Sequence, residues 1–494
     1  MNGKIISVTS DIIEILWNDE EVPAIGTLLK VNNSDIILST EIIHKNRYIK
    51  AIRITTGSKP IIIGEEVTST NKPLQAPVGR GALGRVYNVL GQTIDNLEIN
   101  NQIKYKDVEI KFDSAKKDFT SKSDFLWTGI KIIDFFCPTR KGDKIGIFGG
   151  AGVGKTVVIK EIINNTTFKN KSDQNINPIM VGIGERSREG EELYREIKEA
   201  NLLNSVMLFF AQMNETPGAR MKIIYSAITS AEYFRDELKE DTIMFIDNIY
   251  RYIQAGSELS SSLGNMPSEA GYQPTLFTDI SNVQERLINS DHASITSFQT
   301  VFVPADDITD PSIVNIFSYL DSSLVLNREI ASEGRFPAVD VLKTSSQNTQ
   351  KGIVSTQHLK ALIKSKKIIQ RLSDLEYIIA ILGRDGLSKE DLQTVIRAKL
   401  LLNFFTQDMF VAESFTQKPG VWVKLEDTLE SIEIILSGQL DEIDPHELLY
   451  VGSAMPILEK LRVDQIKKNI IKQKKINASK KSQKISKKSS TKNK

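Results

Sequence analysis

The sequence predicts a multidomain α+β chain. It divides into an N-terminal β-barrel over residues 1–77, a central α/β domain over 78–353, a C-terminal helical domain over 354–464 and a disordered basic tail over 465–494. Three observations lead there. Before residue 75, short runs alternate apolar and polar side chains; from 79 to 350, apolar strand candidates alternate with helical stretches; after 355 the strand signals fade and helical periodicity takes over. A chain of 494 residues is too long for one core, so two to three domains are expected.

The barrel strands are read at 4–9, 11–17, 27–31, 35–39 and 48–54, separated by turn residues such as Asn18-Asp19, Pro23, Gly26, Asn32-Asn33 and Gly57. Pro73, Pro77, Gly79 and Gly81 mark the boundary to the next domain. Buried strands of the central sheet are expected at 145–148, 179–183, 206–211, 243–246, 295–303 and 323–326. Helices are expected to begin near Lys155, Glu189, Ala219 and Ser281. Four amphipathic helices then follow at 358–372, 373–383, 388–405 and 426–438.

Composition is ordinary for a globular protein, with 40% hydrophobic and 25% charged residues. No apolar run approaches the ~18 residues of a membrane span, and the N-terminus lacks the apolar core of a signal peptide. The lone Cys137 excludes an internal disulfide and suits a reducing compartment, where it reads as a small buried apolar side chain. His44, His292, His358 and His446 lack zinc-ligand spacing. The net charge of +1 hides an asymmetry: residues 465–494 hold twelve lysines and no acid, so the other 464 residues carry −11.

The stretch Lys144–Thr156 reads as a buried strand, a glycine loop and the start of a helix, and it contains G-x-x-x-x-G-K-[ST] from Gly149 to Thr156. Glycines at 149, 150, 152 and 154, with Ala151 and Val153 between them, let backbone N–H groups close around a phosphate. The helix beginning at Lys155-Thr156-Val157 adds its positive end. Lys155 can reach the outer phosphates, and the Thr156 hydroxyl is placed for Mg²⁺. Metal binding also asks for an acid at the end of a neighbouring buried strand, and Thr242-Ile-Met-Phe-Ile-Asp247 supplies one. The plainer role for Asp247 is to cap the helix that follows. Glu185, Arg186, Arg188 and Glu189 leave another apolar strand at the end where ligand crevices of α/β sheets lie, although such a charged run is usually a solvated turn.

Taken together, these segments resemble the catalytic β subunits of rotary F-type ATP synthases. The resemblance is carried by Gly149–Thr156, Gly184-Glu-Arg-Ser-Arg-Glu-Gly190, Gln212–Arg220, Phe245-Ile-Asp-Asn-Ile-Tyr-Arg251, Gln254–Glu258, Gly271–Thr275, Val303–Pro311 and Phe336-Pro-Ala-Val-Asp340, in family order over residues 1–465. It implies a P-loop, RecA-like core that binds ATP or ADP with Mg²⁺. Lys155 and Arg186 would hold the β/γ-phosphates, Thr156, Glu189 and Asp247 would serve the metal, and Glu185 would polarise the attacking water. Asn248 and Arg251 would hold released phosphate, and Phe336 and Phe415 would stack on adenine. Glu185 stands where the non-catalytic α subunit has glutamine, which favours a working site.

The resemblance also implies partners: α-like subunits alternating with this chain in a hexameric ring and supplying an arginine in trans, and a γ-like shaft met by residues 306–310 (Asp306, Asp307, Thr309 and Asp310 among them) and 385–391. Such a trans arginine is worth ~10³–10⁵ in rate, so the chain alone is expected to be a poor ATPase. The implied location is cytoplasmic, peripheral on the inner face of the cell membrane, with coupling to protons. Three departures stand out. The family's acidic shaft segment appears as Asp385-Gly-Leu-Ser-Lys-Glu-Asp391, Met409 with Phe410 beside it replaces an adenine-box aromatic, and the lysine tail has no counterpart. They also fit F-type-like paralogues of mycoplasma-like bacteria, which drive other work such as motility. The tail suits a solvated terminus, an anionic membrane face or an acidic partner; without an aromatic it predicts no specific nucleic-acid binding. Rival readings are a Rho-like hexameric nucleic-acid translocase, a nucleotide-sensing subunit without turnover, and a type III export ATPase.

Overall fold

The computed structural model describes residues 2–97, 102–109, 124–150, 152–166, 176–199, 202–268, 270–304, 309–383, 386–463 and 465. The expected basic tail beyond 465 and the positions Ala151, Asp306, Asp307 and Asp385 lie outside them. The chain forms two compact units. The first comprises Met1–Thr128, Ile132–Ile353 and Met409–Gly420; the second comprises Gly129–Lys131, Val354–Asp408 and Val421–Lys494.

The first unit opens with strands β1 (Asn2–Thr9), β2 (Ile12–Trp17), β3 (Thr27–Val31), β4 (Ile37–His44), β5 (Tyr48–Arg53) and β6 (Glu66–Pro73). They close into a barrel in the order β1-β2-β5-β4-β3-β6, which leaves no free edge. Alternation puts Ile13, Ile15, Trp17, Leu29, Val31, Leu38 and Ile49 inside. The sequence shows five of the six strands. The sixth, β6, buries only Val67 and is otherwise polar, so it carries no period-two signal.

Strands β7 (Gln75–Val78) and β9 (Lys104–Asp107) pair with each other, as do β10 (Phe125–Leu126) and β11 (Thr139–Arg140). The main sheet contains β8 (Val86–Tyr87), β12 (Lys144–Phe148), β13 (Asn177–Glu185), β14 (Met207–Gln212), β15 (Thr242–Asp247), β16 (Ile295–Val301), β17 (Ser322–Val325) and β18 (Ser345–Ser346), ordered β18-β17-β12-β16-β15-β13-β14-β8. All its pairings are parallel except β17 with β18. β16 and all but the last residue of β13 are buried, as expected of central strands covered on both faces.

Helices α1 (Lys131–Phe136), α2 (Lys155–Asn164), α3 (Ser187–Glu199), α4 (Pro217–Tyr233), α5 (Ile249–Ser262), α6 (Leu276–Gln284), α7 (Pro311–Tyr319) and α8 (Arg328–Ser332) complete the α/β pattern. Thr216 caps α4 by accepting from the Ala219 N–H, while its hydroxyl donates to the Ile54 carbonyl at the end of the barrel. Gly218 is required there, because a Cβ would lie 2.4 Å from the Arg53 carbonyl oxygen. Helix α6 starts at Leu276, so Ser281 falls in its middle and not at its beginning.

In the second unit, α9 (Thr356–Leu382) is one helix of 27 residues where the sequence suggests two. Ser373-Asp374 looks like a cap, but Ile369, Leu372 and Leu375 keep one buried stripe running past it, and packing wins. Helices α10 (Lys389–Phe404) and α12 (Leu425–Leu436) follow, with the short α11 (Glu413–Thr416) between them belonging to the first unit. Leu372, Leu375, Val395 and Ala398 form the α9–α10 core. Lys131 is fully buried in this unit, and its ammonium donates to the carbonyls of Phe404, Thr406 and Val451.

Candidate functional site

Strand β12 delivers the chain to the glycine loop. Gly152 (φ 77°) and Gly154 (φ 90°) take the left-handed conformation that favours glycine, and Gly154 sits at the start of α2. At Gly149 a Cβ would come within 2.9 Å of Val153. Lys155 leaves the first turn of α2 and folds back over the loop, its ammonium donating to the carbonyls of Gly149 (2.6 Å) and Gly150 (2.9 Å). Burial lowers its pKa, opposed by the charges of Asp247 and Glu185. The loop opens on a cavity of about 530 Å³ walled by Lys155, Thr156, Glu185, Glu189, Asp247 and Asn248, among others.

These groups meet because β13 and β15 are adjacent parallel strands ending side by side, with Gly182 beside Asp247. Glu185 ends β13. Burial, then the Asp247 charge, then Glu189 push its pKa up to about 8. Asp247 ends β15; burial raises its pKa too, and it accepts from the Thr300 hydroxyl at 2.5 Å. The cap of α5 is Asn248, whose side-chain oxygen accepts from the Tyr250 N–H at 3.0 Å, so Asp247 is not spent on capping. Arg251 lies in the first turn of α5 against Gly184 and donates to Gln254 at 2.8 Å.

Other residues singled out in the sequence stand apart from this cavity. Arg186 is exposed and lines a second cavity of about 420 Å³, whose wall Glu185 shares. Arg188 pairs with Glu192 on the exposed first turns of α3, as a solvated run would. Phe336 (41% exposed) and Phe415 (80% exposed) do not line the loop cavity. Phe415 borders a third cavity of about 380 Å³ together with Phe410, and Lys160 is common to it and the loop cavity. Met409 is buried, so Phe410 takes the lining position beside it. Asp310 is committed to the N-terminus of α7 and to Tyr272, which donates to it at 2.9 Å.

Residues 129–346 match the model of the ATP synthase alpha/beta family, nucleotide-binding domain, and residues 347–444 match that of the C-terminal domain of V and A type ATP synthase. The chain is 45% identical over 474 residues to ATP synthase subunit beta 2 of Mycoplasmopsis pulmonis (strain UAB CTIP), covering 96% of this chain and 99% of that one. The chain belongs to the ATP synthase alpha/beta family.

Within the ATP synthase family it is a beta-type subunit, an ATP hydrolase or synthase with a nucleotide-binding domain. The nucleotide-binding match spans the glycine loop, Glu185 and Asp247, and the C-terminal match spans α9, α10 and α12. Among the described residues no helix is long and apolar enough to cross a membrane. Sequence reasoning missed Thr300, which orients Asp247, and Glu161, which is fully buried on α2. Neither sits in a motif, and each becomes visible only once strands and loops distant in sequence are brought together.

Proposed function

We propose that the chain is the catalytic subunit of a rotary F-type or F-type-like ATPase. It binds MgATP and hydrolyses or synthesises it at interfaces with an α-like subunit, coupled to a turning central shaft and to proton transport across the membrane on whose cytoplasmic face the complex sits. The observation that carries this reading is the meeting of Lys155, Glu185 and Asp247 around one cavity beneath the glycine loop.

Backbone N–H groups of the loop and the α2 N-terminus hold the β- and γ-phosphates, and Lys155 exchanges its loop carbonyls for phosphate oxygens. The chemistry of the donor set fits Mg²⁺. The Thr156 hydroxyl is exposed at the first turn of α2, and Asp247 and Glu189 face the same cavity, where burial and then neighbouring carboxylates raise the pKa values of Glu185 and Asp247. Thr156, Asp247 and Glu189 would hold magnesium, which would supply positive charge to neutralise the phosphates. Glu185 orients the attacking water, Arg186 joins Lys155 on the β- and γ-phosphates, Asn248 and Arg251 hold the released phosphate, and Phe336 and Phe415 bound the adenine. Glu185→Gln in the assembled complex is expected to keep nucleotide binding and lose at least ~10²-fold in turnover. Full ATPase activity in that variant overturns the assignment.

The second reading is a specialised motor driving motility or other work without protons. It is favoured by Gly386 and Lys389, both exposed where the family carries acids. Co-purification with a membrane-embedded ring supports proton coupling; co-purification with cytoskeletal or surface proteins supports the specialised motor.

A further inference from the structure

One carboxylate in the nucleotide-binding unit is placed for neither phosphate nor metal. Glu161 lies on α2, two turns after Lys155, on a face otherwise made of Val158, Ile159, Ile162 and Ile163. It is fully buried, and a buried carboxylate is costly unless donors surround it. The donors are present. One oxygen accepts from the Val411 N–H at 3.1 Å, the other from the Asn165 side-chain amide at 3.2 Å, and the Phe410 N–H adds a third bond. Asn165 is fully buried as well and is itself fixed by donating to the Thr128 carbonyl at 2.9 Å.

What Glu161 grips is the segment Met409–Gly420, which belongs to the first unit although the chain on both sides of it belongs to the second. The segment is closed on itself: Glu413 accepts from the Gly420 N–H at 2.7 Å, and a Cβ at Gly420 would lie 2.4 Å from the Phe410 nitrogen. It carries Phe415, which at 80% exposure is not held in place by packing. The position of that ring depends on how the backbone of its segment is fastened, and Glu161 fastens it to the helix that starts on the phosphate loop.

We propose that Glu161 is a positioning residue for the nucleotide base, setting the register between Phe415 and the phosphate loop through the backbone of Phe410 and Val411. The proposal rests on the reading of Phe415 as an adenine neighbour, and the experiment separates the two. Binding of Mg-ATP and of magnesium tripolyphosphate, which has no base, is measured on the full chain for Glu161→Ala, Glu161→Gln and Phe415→Ala. Losing charge-assisted bonds at the anchor is expected to weaken ATP binding by about 10- to 100-fold in Glu161→Ala. The loss is expected to be smaller in Glu161→Gln, which keeps one acceptor and the side-chain volume, and tripolyphosphate affinity is expected to stay within about twofold in both. In the assembled complex KM for ATP rises while kcat is nearly unchanged. If Glu161→Ala does not fold, Glu161→Gln decides. Parallel weakening of ATP and tripolyphosphate makes Glu161 a general structural residue and overturns the proposal. Selective weakening by Phe415→Ala with none from the Glu161 variants overturns it while leaving the adenine reading intact. No selective effect from either residue overturns both.

Discussion

Asp143 shows how a single acid in a catalytic fold can work against stability. At the turn before β12 its carboxylate accepts from the Arg140 N–H and the Asn348 amide, both at 2.6 Å, yet burial pushes its pKa up to about 6 from an ordinary 3.8. Between those values the folded chain holds the proton more tightly than the unfolded chain. Stability therefore falls as pH rises from about 4 to 6 and stays level above. Asp143→Asn keeps an acceptor without the charge. It is expected to flatten that slope and to gain on the order of 1 kcal/mol at pH 7, read from urea denaturation midpoints across the pH range. Residues in motifs are the most legible: Lys155 and Thr156 follow from the glycine-loop pattern and Asp247 from its strand end, Glu185 takes its role only from the family resemblance, and all four meet at one cavity. The Asp247 cap alternative fails because Asn248, one residue on, has the backbone conformation and the side-chain bond of an N-cap. Glu161 is illegible because the backbone N–H of Val411 that holds it lies 250 residues away along the chain.

At the scale of elements, Lys131 secures the end of α10 within the second unit. Phe404 is the last residue of α10, where backbone carbonyls lack helical partners and the helix dipole favours a cation. Burial pulls the Lys131 pKa down to about 7, while three carbonyl acceptors match the three donors of the protonated form. Lys131→Met fills the space but orphans those carbonyls, and is expected to cost about 1–3 kcal/mol. Faster amide exchange at the C-terminal end of α10 would show it. Element boundaries in the sequence were least reliable where polar signals competed with packing. Strand β6 hid behind a polar composition, Ser373 suggested a break that the buried stripe of α9 overrides, and Ser281 suggested a start inside α6. The strands of the parallel sheet were legible because continuous burial writes continuous apolar runs.

At the scale of the molecule, the tip between α9 and α10 carries one of the three departures from the family pattern, Gly386 and Lys389 in place of acids. Of its described acids, Asp391 is already engaged: Ser388 caps α10 through the Asp391 N–H, and Arg371 donates to the carboxylate at 2.8 Å. Glu390 is left facing solvent beside Lys389. A shaft subunit meeting this tip, as the proposed function has it, would find little negative charge there. Gly386→Glu with Lys389→Glu is expected to make the ATPase of the assembled complex more sensitive to salt, since exposed charges are screened within about 8 Å at physiological ionic strength. An unchanged salt profile would show that charge at the tip does not carry the coupling.

The detour of residues 409–420 has a practical consequence for anyone cutting this protein into pieces. A fragment ending at 353 keeps every strand of the sheet and the whole glycine loop, yet it abandons Glu161 without the two backbone amides that solvate it. Excising the nucleotide-binding half cleanly means splicing that short loop back on, because modularity here follows space and not chain order.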